Sequence, residues 1–175
     1  MAELLLFHHA LGLTEGCLAF AEEVRSAGNV VHAPDLYEGR LFEEIDDGVK
    51  HAESLGFETI IERGLRAADA LPEGIVYGGF SLGALPAQVL AQTRPGARGA
   101  LLLYGAEPAA EFGSPWPGEV ALQVHVMDSD PWADLDRVKE LIDEAHPAAS
   151  CSSTQVNAIC GPTEAIATST RRRRR

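Results

Sequence analysis

Residues 74–83 read GIVYGGFSLG, an apolar run that ends in a serine between two glycines. Such a run predicts a buried strand, and the residues after it, through Gln92, predict a helix. Residues 79–83 match G-x-S-x-G, a pattern in which a sharp strand-to-helix turn lifts a serine hydroxyl above the sheet. Glycines on both sides leave room for that turn. We therefore predict a nucleophile at Ser81, the alternative being that Ser81 only caps the helix.

Strands and helices alternate on both sides of this segment. Further strands are predicted at Leu4–His8, Val30–Ala33, Ala100–Tyr104 and Ala121–Met127. Helices are predicted from Thr14 to Ala27, at Phe42–Leu55, at Phe57–Leu71 and at Asp134–Ala145. This alternation predicts right-handed crossovers and a mostly parallel sheet covered on both faces, which makes a three-layer α/β/α domain. We assign that domain to residues 1–145.

Two loops follow strands that should end at the same edge of the sheet as Ser81. An attacked carbonyl needs N–H donors for its oxyanion. We expect one donor at the amide of Leu82 and the second in residues 8–12, with the amide of Ala10 as the candidate. His8 and His9 are adjacent and face opposite sides of an extended chain, so one should be packed while the other could line a pocket.

A carboxylate should follow the nucleophile in chain order. Asp130, before the turn-forming Pro131, is our candidate, and Asp128 is the alternative. The simpler interpretation of either residue is an aspartate that stabilises a turn or caps the next helix.

Four segments together resemble the dienelactone hydrolase family of α/β-hydrolases. They are FHHALGL at 7–13, APDLY at 33–37, GFSLG at 79–83 and DPW at 130–132. The resemblance implies an α/β-hydrolase fold without a large cap, acting on small esters or lactones through a covalent acyl-enzyme. It implies a nucleophile at Ser81, a triad acid at Asp130, and oxyanion donors at Ala10 and Leu82. It also implies a substrate-carboxylate contact at Arg40.

The sequence departs from this family at two positions of the site. The best-known members use a cysteine where this chain has Ser81, and a serine depends more strongly on a general base. Members that act on the dienelactone itself carry an acidic residue near the position of His9. As substrate-binding residues we expect His9, Tyr37, Arg40 and Trp132. The aromatic residues Tyr37, Trp116 and Trp132 favour an apolar acyl group.

The general base is the part of the triad that the sequence does not supply. His146 is the single histidine after Asp130, and it ends a helix that should run away from Ser81. Residues 146–175 have no sustained periodicity and predict a disordered tail. Codons for residues 149–160 can be chosen so that a shifted frame encodes Glu-Leu-Phe-Leu-Tyr-Pro-Gly-Glu-Arg-His-Leu. We hypothesise a frameshift near residues 145–149 that removes the final strand, the final helix and the triad histidine; the gene's nucleotide sequence tests this.

Composition excludes several other classes of protein. The 175 residues carry a net charge of −12, and five of the 14 basic residues are Arg171–Arg175. This acidic excess argues against nucleic acid and membrane surfaces as partners. The three cysteines have no metal-ligand spacing. We expect a cytoplasmic monomer or homodimer without a metal or cofactor, whose partner is a small ester or lactone.

Two competing interpretations remain. The first is a non-catalytic α/β domain that binds a small ligand above the sheet. The second is a flavodoxin-like or nucleotide-binding sheet, which is disfavoured because no glycine-rich phosphate loop follows the first strand.

Overall fold

A parallel sheet of five strands forms the centre of the protein. The computed structural model describes residues 1–127 and 130–145. Its strands are β1 (Glu3–Phe7), β2 (Val30–His32), β3 (Val76–Phe80), β4 (Gly99–Leu103) and β5 (Ala121–His125), in the order β2-β1-β3-β4-β5. The chain adds β2 on one side of β1 and then returns to add β3 on the other side. Ligands bind at the carboxyl ends of strands beside such a reversal, so the fold itself selects the end of β1 and β3 as the site.

Within the described residues, five α-helices cover the two faces of this sheet. They are α1 (Glu15–Ser26), α2 (Ile45–Leu55), α3 (Phe57–Ala68), α4 (Ala84–Thr93) and α5 (Leu135–Ala145). Leu4 and Leu6 of β1 pack with α1, whereas Leu5 and Phe7 join a larger core with α2 to α5. The period-two alternation of β1 therefore divides the helices between the faces. The predicted three-layer α/β fold is confirmed.

One predicted helix begins later than expected. The pattern predicts a helix from Phe42, but α2 begins at Ile45. The amide of Phe42 donates to the carbonyl of Leu11 at 3.0 Å, which ties this segment to the loop after β1. A tertiary hydrogen bond has replaced the first helical turn.

The face of the sheet that α1 covers is less completely buried toward β5. Leu101 and Leu103 on β4 are half-buried there, and Gln123 on β5 is exposed, within the part of the chain that the structure describes. The tail and the expected loss of a final strand and helix lie outside the described residues. None of the helices in residues 1–127 and 130–145 is long and apolar enough to cross a membrane.

Candidate active site

Ser81 lies on a strained turn directly after β3. Its φ angle is +48°, in the left-handed region that serine rarely adopts. The neighbouring glycines make this turn sterically possible. A Cβ atom on Gly79 would lie 1.9 Å from the carbonyl oxygen of Gly83, and one on Gly83 would lie 2.6 Å from the carbonyl oxygens of Phe7 and His8. The G-x-S-x-G pattern is thus required by backbone contacts on both sides of the serine.

Two backbone amides accompany Ser81 at this edge of the sheet. Ala10 and Leu82 line the same cleft as Ser81. Apart from the regular bonds within helices and strands, the hydrogen bonds among residues 1–127 and 130–145 include no acceptor for either amide. The loop that carries Ala10 is packed closely against α2, since a Cβ on Gly48 would lie 2.3 Å from the Ala10 carbonyl oxygen. Packing on α2 thus holds the Ala10 loop in place, and Leu82 belongs to the turn that begins at Ser81.

The cleft above Ser81 has a volume of about 480 Å³. Most of its lining is apolar and comes from α2, α3, α4 and the segment after β4. These apolar lining residues include Val49, Phe57, Ile61, Leu85, Tyr104, Phe112 and Trp132. Of the four predicted substrate-binding residues, Trp132 alone belongs to this lining within the described residues. The size suits a small ligand with apolar groups.

Three charged side chains stand on one side of the cleft. The guanidinium of Arg137 on α5 donates to the carboxylate of Glu107, and its Nη2 donates to Oε1 of Glu111 at 2.9 Å. These two carboxylates raise the pKa of Arg137 above its ordinary value. The positive charge of Arg137 is therefore offset inside the cleft, and the three groups together carry a net charge of −1.

Two buried glutamines on α4 hold the segment that carries Glu107. The side chain of Gln88 donates to the carbonyl of Glu107 at 2.6 Å and accepts from its amide at 3.0 Å. Gln92 donates to the carbonyls of Ala109 and Ser114 at 3.1 and 2.7 Å. Because α4 begins at Ser81's turn, the same helix positions the serine and this side of the cleft.

The two adjacent histidines have different structural roles. His8 is buried; its Nδ1–H donates to the His9 carbonyl at 2.8 Å, and its Nε2 accepts from the Leu36 amide at 2.9 Å. With both nitrogens occupied in this way the ring is neutral, and burial lowers its pKa. His9 is half-buried and its Nδ1 accepts from the Leu11 amide at 3.2 Å. It braces the loop after β1 and is not part of the cleft lining.

The candidate acid is engaged in a turn. Oδ1 of Asp130 accepts from the amide of Trp132 at 2.9 Å, and the Asp130 carbonyl accepts from the amide of Ala133 at 3.2 Å. This is the turn-stabilising contact that the simpler interpretation predicted. Asp130 is not among the cleft-lining residues of the described structure, although its neighbour Trp132 is. The alternative candidate, Asp128, lies outside the described residues.

Two of the predicted substrate contacts, Tyr37 and Arg40, lie outside the cleft lining of the described residues. Tyr37 is only 1% exposed and packs edge-on against His8 and His51, so it belongs to the core rather than to the cleft. Burial raises its pKa to about 12. Arg40 is exposed on the loop before α2, where its carbonyl oxygen lies against Gly12. The APDLY and Arg40 segment contacts the loop after β1, and none of its residues belongs to the described cleft lining.

The cleft also lacks a histidine among the residues that the structure describes. The late histidine, His146, lies outside them. Across residues 1–127 and 130–145, no three histidine, cysteine or acidic side chains are grouped so that they could hold a metal ion. Among the described residues, the polar groups of the site are a strained serine, the two backbone amides of Ala10 and Leu82, and a set of paired charges.

Sequence reasoning missed most of the cleft side formed after β4. Tyr104 could have been found, because it follows a strand end in the way that Ser81 does. Gln88 and Gln92 stand four residues apart in an otherwise apolar helix, which signals two polar groups with buried partners. Glu107 and Arg137 carry no local signal, since charged residues on a loop and on an amphipathic helix are ordinarily solvated.

Comparisons with known proteins agree with this geometry. The model of the dienelactone hydrolase family matches residues 3–153. No curated protein matches the chain significantly.

Solved structures match the fold at low sequence identity. A dienelactone hydrolase-like promiscuous phosphotriesterase from metagenomic libraries matches with a TM-score of 0.64 and 18% identity, over 84% of this chain and 65% of its own. A protein assigned to the dienelactone hydrolases of Klebsiella pneumoniae gives 0.60 and 14%, over 85% and 70%. A protein of Xanthomonas campestris assigned to the α/β superfamily of hydrolases gives 0.58 and 17%, over 83% and 82%. The chain thus spans 65% of the length of the first of these structures.

Proposed function

The chain belongs to the dienelactone hydrolase family, and from this premise we propose that it hydrolyses small, neutral carboxylic esters or lactones through an acyl-enzyme on Ser81. The observation that carries the proposal is the left-handed φ of Ser81, +48°, beside two amides without acceptors in the described structure. A serine that only capped a helix would not need this strained backbone. Family membership supports a hydrolase, and the turn supports the serine mechanism.

The proposed reaction proceeds in two steps. The Ser81 oxygen attacks the substrate carbonyl carbon, and the hydroxyl proton passes to a base. The amides of Ala10 and Leu82 donate to the resulting oxyanion, a type of stabilisation that is often the largest single catalytic contribution. The bond to the alcohol then breaks and the alcohol leaves with a proton. Water hydrolyses the acyl-enzyme by the same route and regenerates Ser81.

Asp130 remains our proposed triad acid. It follows β5 at the same edge of the sheet as Ser81, and the order of nucleophile, acid and histidine is the one that α/β-hydrolases use. Its contact with the amide of Trp132 supports a fixed carboxylate rather than a mobile one. The histidine that it would orient is not among the cleft-lining residues described, so the proposal expects slow turnover by residues 1–145 alone. In triad enzymes, loss of one member leaves about 10³–10⁴-fold acceleration over water.

The charges in the cleft favour a neutral substrate. Arg40, the residue expected to bind a substrate carboxylate, is exposed outside the cleft, and Arg137 is already paired with Glu107 and Glu111. An anionic acyl group would meet a net negative charge without a free cation among the described lining residues. The apolar side chains of the lining suit esters and lactones without a carboxylate.

A non-catalytic binding domain is the second candidate. It is favoured by one observation, namely that no histidine lines the cleft in residues 1–127 and 130–145. In that case the cleft would bind a neutral ligand without forming an acyl-enzyme.

A serine-reactive fluorophosphonate probe distinguishes the two candidates. We expect the full chain to be labelled once, at Ser81, as located by peptide mass spectrometry, and Ser81→Ala to abolish labelling. Ser26→Ala is the matched control, because Ser26 is exposed at the end of α1, and it should be labelled like the wild type. An unlabelled but folded wild type would support the binding domain and overturn the hydrolase proposal.

A further inference from the structure

Three non-glycine residues of the described chain have positive φ angles. They are Glu38 at +57°, Ser81 at +48° and Tyr104 at +68°. Ser81 is accounted for by the turn after β3, and Glu38 stands in an exposed turn before Gly39. A bulky residue such as tyrosine rarely adopts this conformation. Residues held there persist when the surrounding structure fixes them, and they cluster at functional sites.

Tyr104 occupies the position on β4 that Ser81 occupies on β3. The strand register pairs Phe80 with Leu103, so Ser81 and Tyr104 are the next residues of two adjacent strands. The amide of Tyr104 donates to the His125 carbonyl at 2.7 Å, which extends the contact with β5 by one residue. The chain then turns away through the positive φ. Tyr104 is therefore placed at the edge of the sheet where a substrate on Ser81 would sit.

Tyr104 lines the cleft and is exposed rather than buried. It stacks on Phe80 with ring centroids 6.5 Å apart and an interplanar angle of 23°, yet 47% of the residue is exposed. Phe57 and Trp132, also large and exposed, line the same cleft. The hydrogen bonds of residues 1–127 and 130–145 give the Tyr104 hydroxyl no partner. The ring face of Tyr104, rather than its hydroxyl, is thus the part of the side chain that a ligand in the cleft would contact.

The neighbouring glycine makes the choice of tyrosine informative. Gly105 does not have a positive φ, and a Cβ atom added to it would meet nothing within 4 Å. The chain therefore has a glycine where none is sterically required and a tyrosine where glycine would relieve the strain. A side chain kept at such a position implies a use for that side chain.

We propose that Tyr104 is a specificity-determining residue whose ring packs against the acyl group of the substrate and selects aromatic or arylalkyl acyl groups over methyl. The proposal rests on the proposed function, since it takes Ser81 as the reacting group. Offset stacking and edge-on contacts between aromatic rings supply the selectivity. The stacking contact with Phe80 holds the ring at this edge of the sheet.

A pair of sulfonyl fluorides tests this selectivity without turnover. Phenylmethanesulfonyl fluoride carries a benzyl group on sulfur, and methanesulfonyl fluoride carries a methyl group there. Each reaction forms a bond between the Ser81 oxygen and sulfur, breaks the sulfur–fluorine bond, and releases fluoride and the hydroxyl proton. The rate of the mass increase of the intact protein gives the preference for benzyl over methyl.

Removing the ring should lower that preference while the fold is retained. We expect Tyr104→Gly to reduce the benzyl preference about tenfold, with a Tm no more than about 4 °C below the wild type because the strain is relieved. Tyr104→Asn is a second variant without the ring, since asparagine tolerates a positive φ. Tyr104→Phe should keep the preference. The matched control is Glu38→Gly, which relieves a similar φ in a turn outside the cleft and should leave the preference unchanged.

Other outcomes overturn the proposal. An unchanged preference in Tyr104→Gly or Tyr104→Asn would show that the ring does not select the acyl group. Loss of preference in Tyr104→Phe would assign the effect to the hydroxyl instead and reject the ring.

Failure of the proposed function is recognised separately. If neither reagent modifies the wild type at Ser81, the nucleophile assignment fails. Binding of the unreactive analogues phenylmethanesulfonamide and methanesulfonamide then decides the role of Tyr104 by itself. It is followed by isothermal titration calorimetry. A benzyl preference that disappears in Tyr104→Gly supports the inference, and equal binding in the wild type and the variant rejects it.

Discussion

The two sides of the cleft are built by different kinds of interaction. The elbow side consists of residues 79–83 and the loop with Ala10. The backbone atoms there are packed so closely that a Cβ atom on its glycines would clash. The wall side consists of residues 104–112 and the part of α5 with Arg137. It is held by hydrogen bonds from Gln88 and by the ion pairs of Arg137. The site thus combines a sterically fixed side with a side fixed by polar contacts.

This difference assigns separate tasks to the two sides. Close backbone packing leaves one conformation for the elbow side, which suits a serine and two amides whose positions determine the chemistry. Side-chain hydrogen bonds and partly exposed ion pairs are weaker and can be exchanged residue by residue. If the proposed function holds, substitutions on the wall side should alter which substrate binds, while the reaction at Ser81 depends on the elbow side.

Gly79→Ala should have the largest effect on the elbow side. Its Cβ atom would lie 1.9 Å from the Gly83 carbonyl oxygen, a clash that only a backbone shift can relieve. We expect the free energy of unfolding to fall by about 4 kcal/mol or more, measured by urea denaturation. Gly118→Ala is the control: a Cβ atom there meets nothing within 4 Å, and the change should stay within about 0.5 kcal/mol. Similar stability of the two variants would contradict steric specification of the elbow side.

Gln88→Ala should have a smaller effect, on the wall side. The substitution leaves the amide and carbonyl of Glu107 without their partner and opens a cavity, which should cost about 2–3 kcal/mol of unfolding free energy. Modification of Ser81 by methanesulfonyl fluoride should stay close to that of the wild type, because the elbow side is unchanged. Gln123→Ala, an exposed glutamine on β5, is the control and should change stability little. A Gln88→Ala protein that loses Ser81 reactivity would show that the two sides are not separable.

The elbow side was largely predictable from sequence because its constraints are local. Three alternate residues after an apolar strand, Gly79, Ser81 and Gly83, specify the turn, and strand order then brings Ala10 to it. The fold follows from the same periodicities. The start of α2 was predicted three residues early, since the bond between Phe42 and Leu11 joins segments about thirty residues apart.

The wall side was not predictable because its contacts are distant in sequence and ordinary in composition. Arg137 meets Glu107 across thirty residues, and nothing in either neighbourhood distinguishes this pair from solvated charges. Tyr37 was misassigned for a related reason. An aromatic residue on a loop suits a pocket as well as a core, and only the packing of His8 and His51 around it decides between them.

The smallest predicted effect is a pH dependence of stability that belongs to the elbow side. Burial lowers the pKa of His8, so the folded protein keeps this ring neutral while the unfolded chain is protonated below about pH 6.5. The unfolded state then binds more protons, and the free energy of unfolding should fall as pH decreases below 6.5, by at most about 1.4 kcal/mol per pH unit. His8→Gln, which can donate to His9 and accept from Leu36, should flatten this slope between pH 7 and pH 5.5.

Two comparisons control this experiment. Burial lowers the pKa of His51 as well, so His51 stays in both proteins and the difference between their slopes isolates His8. Gln88→Ala should retain the wild-type slope, because the substitution leaves His8 and its two hydrogen-bond partners in place. Equal slopes in the wild type and His8→Gln would mean that the neutral ring is not what the fold requires there.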